Sequence, residues 1–320
     1  FRVHVRVLVT GADGFVGRHL VARLVEDGHQ VTAACRAGAR LQGWPAAELG
    51  TAVQVVPFEL DDSATIRAAV VLRHDAVIHL AGVASVREAR EDPGRAWVIN
   101  AAGTARLLDA VLSIYEAGNT GSRILVVSSA EVYGNGPATP RVESDPARPQ
   151  SAYAASKVGA EVAALEAWRR TGLHIMIARP FTHTGPGQRP PYVVPSFVER
   201  LLAVRSQPQA RIPTGNLEPM RDLLDVRDVV AAYVMLLRSG APGETYNVAR
   251  GEAISLRDVF HRLAALVGVR AEPVPEPSLV RAEDIPYLVG DPGKLQRATG
   301  WSATIPLDQT LRDMVDAQTH

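Results

Sequence analysis

Thr10-Gly-Ala-Asp-Gly-Phe-Val-Gly17 stands between an apolar alternation, Val3, Val5, Val7 and Val9, and a segment from Gly17 to Asp27 that carries Leu20, Val21, Leu24 and Val25 at helical spacing before Gly28 stops it. A strand, a glycine turn and a helix follow from these periods. Three glycines let the backbone turn tightly, approach a pyrophosphate and pack helix on strand, while the helix N-terminus offers free N–H groups to phosphate. Gly11, Asp13, Gly14, Phe15, Val16 and Gly17 are therefore the expected dinucleotide loop. The motif has the strand-to-helix setting that this mechanism requires.

Working outward, short apolar runs at 30–35, 53–58, 75–80, 123–128 and 173–178 alternate with helix-like segments. That order predicts an α/β protein with a Rossmann-type, doubly wound parallel sheet covered on both faces. After Arg179 the pattern loosens into proline- and glycine-rich sequence with one helix-like insert, Val194 to Val204. Residues 223–249 return to helix and strand, and 252–320 mix helices with proline-rich loops. The expected division is a dinucleotide-binding domain of residues 1–181 plus 223–249, with a smaller substrate lobe of residues 182–222 plus 250–320. Substrate belongs in the cleft between them, beyond the carboxyl ends of the strands.

Composition narrows the function classes. The 320 residues are 47% hydrophobic and 21% charged, enough to bury a large core. Thirty-four basic and thirty-four acidic side chains cancel, so no global field holds the chain on nucleic acid or an anionic membrane. Neither is an expected partner. The lone Cys35 excludes an internal disulfide and fits a reducing compartment. No run approaches the roughly 18 consecutive apolar residues of a membrane helix, and strand-like sequence begins almost at once, so a cytoplasmic protein is expected. None of the nine histidines forms an H-x-x-x-H or Cys/His cluster, and no metal site is expected.

The end of the second strand, Val31-Thr-Ala-Ala-Cys-Arg36, selects the adenosine ribose. No acidic residue stands there to hold the 2′-hydroxyl of NAD; Arg36, with Arg40 behind it, suits the 2′-phosphate of NADP. NADP is the expected cofactor, with NAD as the alternative. A second constellation is Tyr153-Ala-Ala-Ser-Lys157. Four residues apart on a helix, the Lys157 ammonium can favour the Tyr153 phenolate and bond a cofactor ribose, so that Tyr153 gives or takes a proton while hydride moves at nicotinamide. Ser129, at the end of a strand, can share the bond to the reacting oxygen.

The glycine pattern, Ser128-Ser129-Ala130-Glu131-Val132-Tyr133-Gly134, Tyr153 with Lys157, Arg179-Pro-Phe-Thr-His-Thr-Gly-Pro-Gly187 and Arg221-Asp-Leu-Leu-Asp-Val-Arg-Asp228 together resemble the extended short-chain dehydrogenase/reductase family of nucleotide-sugar enzymes, over nearly the whole chain. The resemblance implies a Rossmann domain, a C-terminal nucleotide-sugar lobe and a catalytic set mapped onto Ser129, Tyr153 and Lys157. It implies a homodimer built on helices at residues 96–117 and 152–170. It places Glu59 and Leu60 near the adenine, Leu80, Ala81, Gly82 and Asn100 along the cofactor, and Phe181 beside the nicotinamide. Toward the substrate it implies Ser129, Glu131, Thr182 and Val193, with Arg221 and Arg281 on the diphosphate. Guanidinium forks suit phosphate in a chain with no net positive field. The family usually has Asn where this chain has Thr182, which changes that polar contact.

Within the family, Phe181-Thr-His-Thr-Gly-Pro-Gly-Gln188 and Arg281-Ala-Glu-Asp-Ile-Pro-Tyr-Leu-Val-Gly-Asp291 look most like the GDP-mannose branch, which contains 4,6-dehydratases and 4-keto-6-deoxy-mannose reductases. A dehydratase needs a carboxylate to strip the C5 proton, and a second group to protonate the leaving C6 oxygen. Glu131 stands where family dehydratases have the base, but Ala130 replaces the neighbouring Asp or Ser. A reductase needs only Ser129, Tyr153 and Lys157 with NADPH, leaving Glu131 to bond a sugar hydroxyl. The expected activity is therefore reduction of the C4 ketone of a GDP-linked 4-keto-6-deoxy sugar. The alternatives are a 4,6-dehydratase, a sugar 4-epimerase and, outside catalysis, an NADP-binding sensor or scaffold. His183 fits either a sugar contact or a backbone-bonded loop residue; Asp225 and Asp228 read as carboxylates near a helix start, and Tyr133 as packing under the active-site turn.

Overall fold

A computed structural model describes residues 5–39, 50–115, 122–207, 209–280 and 284–319; Arg40 and Arg281 lie outside them. The chain opens with β1 (Arg6–Thr10), α1 (Phe15–Glu26), β2 (Gln30–Cys35), β3 (Val53–Pro57), α2 (Ser63–Val70) and β4 (Ala76–His79). Next come α3 (Val86–Glu91), α4 (Pro93–Trp97), a π-helical turn (Val98–Ala102), α5 (Gly103–Tyr115), β5 (Arg123–Val127), a 3₁₀ turn (Ala130–Tyr133), α6 (Ala152–Thr171) and β6 (His174–Pro180).

β1 to β6 and a later strand, β11 (Thr245–Val248), form a seven-stranded sheet that is parallel throughout, in the order β11-β6-β5-β4-β1-β2-β3. The strands read as unbroken apolar runs because both faces are covered. Val7, Val9, Ala33, Ile78 and Leu125 pack on one side, and Leu8, Ala34, Val77, Ile124 and Val126 on the other. The order reverses between β1 and β4, so a crevice opens beyond their carboxyl ends, at Gly11 and Leu80.

The remainder comprises β7 (Thr182–Thr184), α7 (Val193–Ala203), β8 (Ala210–Thr214), β9 (Met220–Arg221), β10 (Leu223–Asp225), α8 (Val226–Ser239) and β11 (Thr245–Val248), then β12 (Ile254–Ser255), α9 (Leu256–Val267), β13 (Ala271–Pro275), β14 (Tyr287–Leu288), α10 (Gly293–Thr299) and α11 (Leu307–Thr319). Only β11 joins the large sheet, beside β6, while β10 pairs with β7. A separate core of Val194, Phe197, Leu201, Ile212, Val259, Phe260, Leu263 and Leu311 lies among α7, β8, α9 and α11.

The expected absence of a membrane-length apolar run meets one qualification. Among the described residues, the continuous helical stretch Pro93–Ile114 reaches the length and mean hydropathy (1.2) of a membrane span. It is not an uninterrupted apolar run, because Asn100, Arg106 and Asp109 break it. It packs along α6, where Gly159 leaves room for the Trp97 ring and Ala101.

Candidate active site

The glycine loop is built for close approach. Gly11 has φ +68°, and a Cβ there would stand 2.8 Å from the Ala81 nitrogen; a Cβ on Gly17 would collide with the Gly11 carbonyl and Ala12. Gly14 begins α1 with no side-chain cap, so no side chain occupies the free N–H groups of its first turn. These features fit a pyrophosphate. Phe15 stacks on His183, and Val16 is half-buried against the core.

At the ribose end, the Arg36 guanidinium extends into solvent, 77% exposed, and its Nε donates to the Asp13 carboxylate at 3.2 Å. Asp13 thus fixes the stem of an arginine whose remaining donors face outward. Glu59 accepts from the Ala37 N–H (3.2 Å) in the same corner, whereas Leu60 is buried in the core against Gly103.

Beyond β5 the backbone turns through Ser129 into the 3₁₀ turn, whose Glu131 N–H donates to Ser129 Oγ at 3.2 Å. Ser151 caps α6 by accepting from the Ala154 N–H, and this start places Tyr153 and Lys157 on one face beneath the turn. Burial, then the Glu131 charge, drive the Tyr153 hydroxyl pKa well above the tyrosine range, while a hydrogen bond with Ser129 pulls it down. The structure therefore brings Ser129, Glu131, Tyr153 and Lys157 together. Burial lowers the Lys157 pKa to about 8, against an upward pull from Glu161. Its Nζ donates to the Val127 carbonyl at 2.9 Å and lies beside Gly82, on the crevice side. Asn100, on the π-helical turn, accepts the Val83 N–H and donates to Ser156 Oγ, both at 2.8 Å.

Other expected residues fall as follows. The Phe181 ring is fully buried between Tyr133 and Gly290. Thr182 pairs with Leu223 across β7 and β10, and Val193 opens α7 against the second core. Arg221 donates to the Ile285 carbonyl (2.7 Å) and to Asp284 (3.4 Å), so carboxylate and carbonyl oxygens already hold its fork. His183 donates Nδ1–H to the Phe181 carbonyl at 2.9 Å, the backbone-bonded arrangement, and burial lowers its pKa. Tyr133 is buried under the turn, its hydroxyl donating to Asn247 Oδ1 at 2.6 Å. Asp225 caps α8, and Asp228 in its first turn accepts from the Thr304 and Ile305 N–H groups. No cluster of metal-ligating side chains occurs among the described residues.

Sequence reading missed the support behind this set. Glu161, one turn beyond Lys157 on the same helix face, pairs bidentately with Arg179 (2.9 and 2.7 Å), and the Arg179 guanidinium lies 4.8 Å over the Tyr133 ring. The 153/157/161 spacing was the available signal.

Comparison with known proteins agrees with this geometry. Residues 8–314 match the family model described as GDP-mannose 4,6 dehydratase. The chain is 34% identical over 310 residues to a GDP-6-deoxy-D-mannose reductase of Pseudomonas aeruginosa, covering 96% of this chain and 95% of that one. It superposes on RMD from Pseudomonas aeruginosa complexed with NADPH at TM-score 0.81 and 32% identity, covering 98% of each chain. It superposes on the UDP-glucose 4-epimerase of Thermus thermophilus in complex with NAD at TM-score 0.84 and 30% identity, again over 98% of each. With its parallel sheet, uncapped glycine loop and Ser129–Tyr153–Lys157 cluster, the chain belongs to the GDP-mannose 4,6 dehydratase family, within the extended short-chain dehydrogenase/reductase enzymes of nucleotide sugars.

Proposed function

We propose that this enzyme reduces the C4 ketone of a GDP-linked 4-keto-6-deoxy sugar with NADPH. The observation that carries the reading is Ala130: it is buried in the turn between Ser129 and Glu131, so its methyl leaves that turn without the second proton-transfer group of a dehydratase. The 34% identity to a protein named as a GDP-6-deoxy-D-mannose reductase supports it. Glu131, whose charge reaches Tyr153, is the observation favouring a 4,6-dehydratase as the second reading.

Gly11, Gly14 and Gly17 would hold the dinucleotide pyrophosphate, Arg36 the 2′-phosphate, and Lys157 a ribose hydroxyl. When bound, the reduced nicotinamide supplies hydride. Tyr153 gives its phenolic proton to the C4 oxygen, Ser129 holds that oxygen in place, and the Lys157 ammonium stabilises the phenolate left behind. Glu131 orients the sugar through a hydroxyl. We also propose a homodimer on the helices running 93–115 and 152–171, whose outer surfaces expose Trp97, Val98 and Val162; a monomer in sedimentation would remove it.

The decisive assay incubates the protein with GDP-mannose and NADP⁺ in one tube, and with the 4-keto-6-deoxy product and NADPH in another. NADPH oxidation confined to the second tube is expected. Water loss in the first overturns the reductase reading, and a preference for NADH in the second overturns the role given to Arg36.

A further inference from the structure

One buried polar chain joins the cofactor side of the crevice to the catalytic helix, and its protons can be assigned from chemistry alone. Thr104 Oγ1 lies 2.6 Å from the Asn100 carbonyl oxygen, which can only accept, so the single hydroxyl proton of Thr104 is used there. Toward His79 Nε2, at 3.0 Å, Thr104 can then only accept, and Nε2 carries the ring proton. Nδ1 is left bare and accepts from the Thr10 hydroxyl at 2.8 Å, whose oxygen in turn accepts the Ala81 N–H at 3.2 Å. Thr10, His79, Asn100, Thr104 and Ser156 are all nearly inaccessible to solvent. Burial and the nearby Lys157 charge push the His79 pKa down to about 3, in keeping with a neutral ring.

The chain has two arms. One ends at Ala81, in the turn that packs on Gly11 of the glycine loop. The other passes through Asn100 to Ser156 Oγ, which donates to the Tyr153 carbonyl at 2.8 Å. The imidazole, with acceptor and donor on opposite sides of a rigid ring, is the only member that touches both.

We propose that His79, as the neutral Nε2–H tautomer, is a positioning residue that fixes the glycine loop and the turn after β4 relative to the π-helical turn and the part of α6 carrying Tyr153 and Lys157. The inference deepens the reductase reading and rests on it only where turnover is measured.

Thr10→Val breaks the cofactor arm and Thr104→Val the helix arm, each with little change of shape. NADPH titration by fluorescence should show Thr10→Val weakening binding about tenfold, the effect of one buried hydrogen bond, with Thr104→Val within about twofold of the parent. Turnover of the 4-keto sugar should fall about tenfold in Thr104→Val and recover in Thr104→Ser, which restores the hydroxyl. If the parent binds NADPH but leaves the sugar untouched, the reductase reading fails, and the comparison of the two binding constants still decides this proposal. Equal binding losses in the two valine variants overturn it. Should either variant fail to fold, histidine-selective ¹⁵N NMR of the parent gives the answer: an Nε2–H ring unchanged from pH 5 to 9 supports the proposal, and an Nδ1–H tautomer or a ring that charges in that range overturns it.

Discussion

If the proposed reduction holds, Tyr153→Phe should bind NADPH as the parent does and turn over the 4-keto sugar about a thousandfold more slowly, within the range of general acid catalysis. The phenyl ring keeps the packing of a side chain that is only 9% exposed and deletes its hydroxyl proton. Ser129, whose Oγ accepts the Glu131 N–H, and Lys157, whose Nζ donates to the Val127 carbonyl, hold the oxygen and the charge in the proposed step, while the proton transferred is that of Tyr153. In the free protein the Tyr153 hydroxyl lies well above the tyrosine range because burial and Glu131 both disfavour phenolate. This environment keeps the tyrosine protonated at the start of a reduction, and release of the proton then needs a positive charge beside the phenolate. The partner that must be charged is Lys157, held near 8 by burial. Its ammonium is lost as pH rises through that value, so kcat/KM for NADPH should decline above about pH 8. A Tyr153→Phe enzyme with parental turnover, or an alkaline limb displaced above pH 10, would remove the mechanism.

Much of this was legible because its determinants are local. The glycine loop gives strand, turn and helix within eight residues, and a sheet buried on both faces writes itself as continuous apolar runs. Tyr153 and Lys157 were legible for the same reason, since a helix fixes the face of residues four apart. What was not legible depends on partners distant in sequence. Thr10, His79 and Thr104 are 69 and 25 residues apart, and no period places them in contact. Arg221 illustrates the converse: sequence shows a cation suited to phosphate, whereas the fold supplies Asp284 and the Ile285 carbonyl as its partners. Whether a diphosphate displaces them is a competition that spacing does not encode.

Arg179→Met destabilises the fold by about 3–5 kcal/mol, the cost of leaving one member of a buried ion pair uncompensated. The two side chains are 9% and 6% exposed, so little solvent reaches the Glu161 carboxylate that remains. The same change removes the cation over the Tyr133 ring, and with it one support of the turn carrying Ser129 and Glu131. Urea unfolding measures the loss; a variant within 1 kcal/mol of the parent would show that solvent or rearrangement satisfies Glu161. The double variant Glu161→Met with Arg179→Met should regain most of the stability, because apolar side chains of similar volume replace a buried pair at little net cost. Recovery of stability does not imply recovery of rate. Glu161 stands one turn below Lys157 and raises its pKa, so the double variant should fold yet lose its ammonium at lower pH, moving the alkaline limb of kcat/KM downward. A pair that serves only packing would leave that limb where it was.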